Sequence, residues 1–96
     1  WTNKAGHNPV DIFKKYPGRF PLYHLKDMYT QQPAFFDVIK DDVAPVGEGV
    51  IDFKEIIAAK DIAGMKYMIV EQDETRGDMF ADIQKSITNL TTRILV

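Results

Sequence analysis

Apolar and polar positions alternate along this chain with two different periods, and the changes between them mark its elements. Asn8-Pro9 is a helix start, an N-cap side chain followed by proline at the first helical position, and Val10, Ile12, Phe13 and Tyr16 follow at helical spacing until Pro17-Gly18. Phe20 to Asp27 changes to period two: Phe20, Leu22, His24 and Lys26 share one face, Tyr23 and Leu25 the other, so a short strand is predicted. From Met28 to Ile51 clear periodicity is lost. That stretch holds Pro33, Phe35-Phe36, Asp41-Asp42 and Pro45-Val46-Gly47-Glu48-Gly49, and a connection so long in a compact domain is usually functional or mobile.

The helical period then returns. Asp52 with Glu55 three residues on forms a capping box, Phe53, Ile56, Ile57 and Ala63 make an apolar stripe, and Gly64 closes the helix. Lys66 to Gln72 is the second predicted strand, with Tyr67, Ile69 and Glu71 on one face and Met68 and Val70 on the other. After the loop Asp73 to Gly77, Asp78 caps a final helix in which Phe80, Ile83, Ile87, Leu90 and Ile94 form the stripe expected to cover the sheet. The order helix, strand, helix, strand, helix implies an α/β chain with parallel strands joined by right-handed crossovers. Two such strands leave two bare edges, so the sheet is expected to be completed either within a larger α/β fold or by another chain.

Composition narrows the functional classes. The 96 residues contain no cysteine, which excludes thiolate metal sites and cysteine nucleophiles. Twelve Lys and Arg against fourteen Asp and Glu give a formal charge of −2, which offers no general attraction for nucleic acid or an anionic membrane. Apolar runs such as Met68-Ile69-Val70 fall far short of the roughly 18 residues of a membrane span, so a soluble chain is expected. No signal peptide is visible, and a start at Trp1 suggests that the natural N-terminus is missing. A cytoplasmic location is therefore the expectation, with a periplasmic one left open.

Chemistry-bearing residues gather where parallel α/β folds usually place their sites, at the carboxyl ends of strands. His24, Lys26 and Asp27 end the first strand, and Glu71, Gln72 and Asp73 the second. His24 and Glu71 belong to the faces that carry Leu22 and Ile69. One imidazole and one carboxylate aimed at a shared space suit a divalent cation such as Mn, Mg, Co or Zn. The bland alternative is a hydrogen-bonded strand histidine and a glutamate capping a neighbour. Lys26 is placed to meet a substrate hydroxyl or phosphate, or else a loop carboxylate. Asp27 points the other way and suits loop capping, and Glu74 and Arg76 lie within reach of a substrate.

Other motifs have plainer explanations. His7 reads as a surface residue, and Gly47-Glu48-Gly49, lacking a third glycine and a preceding strand, as a tight turn rather than a nucleotide loop. Phe35 and Phe36 suit a lid or, more plainly, a packing anchor. Arg76-Gly77-Asp78 is a turn with a helix cap, and Asn89-Leu90-Thr91 lies within a predicted helix, which argues against glycosylation.

Three segments carry a family resemblance covering nearly the whole chain. Tyr16-Pro-Gly-Arg-Phe-Pro-Leu-Tyr-His-Leu-Lys-Asp-Met28, Gly47-Glu-Gly-Val-Ile-Asp-Phe53 and Tyr67-Met-Ile-Val-Glu-Gln-Asp-Glu-Thr-Arg-Gly-Asp78 resemble the C-terminal part of the sugar phosphate isomerase/epimerase family, whose members are xylose isomerase-like TIM barrels. The resemblance implies that residues 1–96 are one fragment of a (β/α)8 domain, its last two βα units with a preceding helix, incomplete as a stand-alone domain. It implies a divalent metal held by a Glu-Asp-His-Glu set, to which His24 and Glu71 would contribute, with Glu71 also the acid/base group and a sugar or sugar phosphate as substrate. The first glutamate and the aspartate would lie before Trp1, so the parent protein is expected to be the isomerase or epimerase and the 96-residue chain alone to be inactive. Two other readings remain: a non-catalytic half-barrel that binds or assembles with another chain, or a keto-sugar lyase or dehydratase on the same scaffold. A homo-oligomer is permitted by either.

Overall fold

The computed structural model describes residues 1–30 and 42–96, so Phe35 and Phe36 lie outside the described residues. Three helix starts form on the side chains that the sequence offers. Asn8 Oδ1 accepts the Val10 N–H (2.9 Å) to start α1 (Pro9–Lys15), and Asp52 Oδ1 accepts the Glu55 N–H (3.0 Å) to start α2 (Phe53–Ala58). Asp78 Oδ1 accepts from Phe80 and Ala81 at the start of α4 (Met79–Asn89). Each side chain satisfies backbone donors that a helix start leaves open.

The helix expected from Asp52 to Gly64 is two helices instead, α2 and α3 (Lys60–Ala63), which meet at Ala59, where the backbone leaves helical geometry. Gly64 ends α3 in the left-handed conformation (φ 78°). A Cβ there would approach the Gly18 Cα to 3.0 Å, so the position favours glycine on both counts.

Strands β1 (Leu22–Leu25) and β4 (Tyr67–Val70) pair in parallel, with Leu22 opposite Tyr67 and His24 opposite Ile69. The Glu71 N–H donates to the Leu25 carbonyl (3.0 Å) and carries the pairing one residue further. One face of the pair points into the core. Tyr23 and Leu25 are buried there with Phe13, Val46, Phe53, Ala63 and Leu90, and Met68 and Val70 pack against them. The Phe13 ring stacks on Tyr23 with centroids 5.3 Å apart.

The first strand is shorter than the alternation predicts, because Asp27 and Met28 leave it for a second sheet. They form β2 (Asp27–Met28), antiparallel to β3 (Val43–Ala44). No periodicity marks this pair, since two residues cannot express one. Asp27 is the reason the chain turns here: its buried carboxylate accepts four backbone N–H groups. Oδ1 takes those of Met28 (2.9 Å) and Ile51 (3.2 Å), and Oδ2 those of Gly47 and Gly49 (3.0 Å each). This is the loop-capping role that its parity suggested. Gly49 is required, because a Cβ there would overlap the Met28 carbonyl oxygen and Asp27 Oδ1.

Only the carboxyl-terminal part of the expected stripe covers the core: Leu90 is buried in it and Ile94 packs against it, whereas Phe80, Ile83 and Ile87 are exposed, Phe80 at 84%, and α4 turns Ser86 and Asn89 inward. Backbone satisfaction explains the rotation. Ser86 Oγ accepts the Val46 N–H (2.9 Å), and Asn89 Nδ2 donates to the Val46 carbonyl (2.9 Å) and to Glu48 Oε1 (3.0 Å). Leaving the Val46 groups unpaired in the core would cost more than leaving apolar side chains in water. The Thr91 and Thr92 hydroxyls then donate to the Ile87 and Thr88 carbonyls, and the chain widens into a π-helix (Leu90–Ile94) closed by a Leu95 N–H to Leu90 carbonyl bond. Among the described residues no helix is long and apolar enough to cross a membrane.

Candidate functional site

The parallel pairing determines which side chains meet. Leu22, His24 and Lys26 on the first strand stand beside Tyr67, Ile69 and Glu71 on the second, on the face away from the core. The amino-terminal half of this face is apolar and exposed, with Leu22 at 47%, Tyr67 at 70% and Ile69 at 49%. Its carboxyl end is polar.

There His24 Nδ1 lies 2.9 Å from Glu71 Oε2, and Lys26 Nζ lies 3.4 Å from Glu71 Oε1 and 2.5 Å from Asp73 Oδ2. The Lys26 ammonium also sits 5.0 Å from the centroid of the Trp1 ring. Burial lowers the Lys26 pKa, but hydrogen bonds and charges from Asp73 and Glu71 outweigh it and hold the group above the ordinary lysine value. Burial pushes the Asp27 carboxyl up, against the downward pull of its four amide donors.

The donor separation offers a test of fit for a metal. An octahedral cation about 2.1 Å from each of two neighbouring donors places those donors about 3.0 Å apart. The His24 and Glu71 atoms meet that spacing at 2.9 Å, although a direct hydrogen bond has the same length. A nitrogen and an oxygen donor suit Mn, Co or Zn, and oxygen-rich completion would suit Mg. Among the described residues no three His, Asp or Glu side chains converge to hold a metal. The spacing of these two donors therefore suits a shared cation and a direct hydrogen bond alike.

The remaining candidates occupy other positions. The Arg76 guanidinium lies 4.0 Å over the Tyr29 ring. In the loop after β4 the Glu74 carbonyl accepts from Gln72 Nε2 (2.7 Å), and Thr75 Oγ1 bonds Asp82 Oδ2. Asp73 is the loop carboxylate that the sequence offered as the alternative partner of Lys26, whereas Trp1, which covers Lys26, carries no role in the sequence reading. Asp73 had a signal, since it shares parity with Glu71 and so the same side of an extended strand. Trp1 had none, because it is distant in sequence from both strands.

The chain matches no protein-family model and no curated protein.

Proposed function

We propose that this chain is the C-terminal portion of a divalent-metal-dependent sugar or sugar phosphate isomerase or epimerase, contributing the last two βα units of a (β/α)8 barrel. The observation that carries the reading is the convergence of His24 Nδ1 and Glu71 Oε2 to 2.9 Å from neighbouring parallel strands, at their carboxyl ends and on the uncovered face. The uncovered Leu22, Tyr67 and Ile69 below them support it, since such a face is the interior wall of a closed barrel.

His24 and Glu71 would hold the metal, with the other ligands coming from residues outside these 96. A bound divalent cation supplies Lewis acidity toward a sugar carbonyl or hydroxyl. Glu71 is the base: its carboxylate takes a proton from the carbon beside the carbonyl and the electron pair moves into the carbonyl; for epimerisation a proton then returns to the opposite face of that carbon from an acid outside these 96 residues, and for isomerisation it returns to the former carbonyl carbon as the hydroxyl proton of the deprotonated carbon passes to the carbonyl oxygen. Lys26, held by Asp73, donates to the oxygen that gains charge. Arg76, in the loop after β4, would meet the far end of the substrate.

The test is made on the complete natural polypeptide. His24→Ala and Glu71→Gln are each expected to abolish sugar turnover and to lower bound metal by elemental analysis, with the circular dichroism spectrum unchanged. Full turnover in either variant would refute the assignment.

A second reading is favoured by the amount of apolar surface left open. Leu22, Tyr67 and Ile69 on the sheet and Phe80, Ile83 and Ile87 on α4 suit a half-barrel that pairs with another chain without catalysis. A metal-independent cooperative melt and a defined oligomer of the 96-residue chain would support that reading instead.

A further inference from the structure

Glu71 carries two duties at the strand ends, and Lys26 stands close enough to interfere with both. Its Oε2 faces His24 Nδ1 at 2.9 Å, while its Oε1 faces the Lys26 ammonium at 3.4 Å. An ammonium seated on that carboxylate would make it a weaker base, and would oppose any divalent cation shared with His24. Asp73 draws Lys26 the other way. Its Oδ2 lies 2.5 Å from Nζ, whereas the 3.4 Å to Glu71 is longer than the usual hydrogen bond. With its side chain only 17% exposed, Lys26 has little water to offset the loss of a partner, so without Asp73 its nearest carboxylate would be Glu71.

The surrounding charges sharpen this competition. Trp1, Lys4, Asp27 and Asp42 border the same small cavity as Lys26 and Asp73. Burial, and then the charges of Lys26 and Lys4, depress the pKa of the Trp1 amino group, so like charges crowd on this side. The other two carboxylates are committed elsewhere: Asp27 to four backbone N–H groups, and Asp42 to the N–H and hydroxyl of Thr30. Asp73 is therefore the carboxylate that meets Lys26 here.

We propose that Asp73 is a positioning residue that diverts Lys26 from Glu71 and so leaves the Glu71 carboxylate open to a divalent cation and to the substrate proton. This rests on the isomerase reading and extends it to a residue that works only through Lys26. Asp73 acts at one remove, by fixing where the ammonium sits.

The experiment is a double-mutant cycle on the complete natural polypeptide, with Mn²⁺ as the probe and its Kd read by calorimetry. Asp73→Asn is expected to raise Kd roughly tenfold, because Lys26 then turns to Glu71 and its charge opposes the ion. Lys26→Met is expected to leave Kd at or below the wild-type value. The double variant Asp73→Asn/Lys26→Met is expected to return Kd to within about twofold of wild type, since no ammonium is left to divert. An Asp73 that merely supports the loop, or that binds the ion itself, would leave the double variant as weak as Asp73→Asn, and that result would overturn the proposal. So would an Asp73→Asn protein with unchanged Kd, or a Lys26→Met protein that by itself binds Mn²⁺ roughly tenfold more weakly. Mn²⁺ uptake indifferent to both His24→Ala and Glu71→Gln is a different failure, which takes down the metal reading and this inference with it.

Discussion

Asp27 offers the sharpest test of how this fold holds its candidate site. Its carboxylate is the shared acceptor for the N–H groups of Met28, Gly47, Gly49 and Ile51, at 2.9 to 3.2 Å. Asp27→Ala removes both oxygens and leaves four donors without a protein acceptor. The Met28 bond is buried and the other three are partly buried, so each orphan belongs at the lower end of the range for a lost hydrogen bond, about 1 kcal/mol. The sum is about 4 kcal/mol, less a part returned by no longer burying a charge, and a net loss of about 3 kcal/mol is expected. Asp27→Asn keeps one acceptor oxygen and is expected to lose about half as much. Urea denaturation is the assay, with a lower midpoint at unchanged slope as the signature.

The pH dependence supplies an independent check. Because burial raises the Asp27 pKa in the fold, the folded chain holds that proton more tightly than the unfolded one. This contribution is complete below the unfolded value of about 3.9 and is lost as pH rises through the higher folded value. Asp27→Asn should lack that decline. A loss below about 1 kcal/mol for Asp27→Ala, or a wild-type stability that rises relative to Asp27→Asn over this acid range, would refute the reasoning.

Other expectations follow from single groups. Among the described residues Tyr23 Oη is buried without a hydrogen-bond partner, so Tyr23→Phe should raise stability by about 1 kcal/mol, and a destabilised variant would mean that the hydroxyl has a partner after all. Asn89→Ala removes the donor to the buried Val46 carbonyl and should cost about 1 to 2 kcal/mol in the same urea assay, whereas no change would show that water replaces the amide. Lys26 has a raised pKa, so its contribution is full below the unfolded lysine value of about 10.4 and is lost as pH climbs through the higher folded one. Asp73→Asn should flatten that alkaline loss in thermal melts, and melts that superimpose at high pH would count against the Lys26–Asp73 pairing.

Much of the local structure can be read from the chain without coordinates. The caps at Asn8, Asp52 and Asp78, the stop at Gly64 and the two faces of each strand all follow from short-range chemistry, and each forms where that chemistry says. The meeting of His24 with Glu71 follows in turn from parity and parallel pairing. What escaped the sequence depends on distant partners. The β2–β3 pair is too short for a pattern, and Asp27 organises it only because residues 47–51 return to it. The rotation of α4 was hidden because an apolar stripe is visible in sequence, whereas the unpaired backbone of Val46, which Ser86 and Asn89 satisfy, is not. The Trp1 contact with Lys26 is tertiary in the same sense.

The run His24-Leu25-Lys26-Asp27 divides its labour by parity: two side chains face the opening, one enters the core and one ties down the loop. Loss or gain of one residue here would exchange all four roles at once, sending imidazole and ammonium inward and leucine to water. Variants of this protein therefore cannot change length within that run and keep these roles. Substitutions that alter the opening must preserve spacing to the residue, so adaptation at this site is confined to exchanges of side chain at fixed backbone.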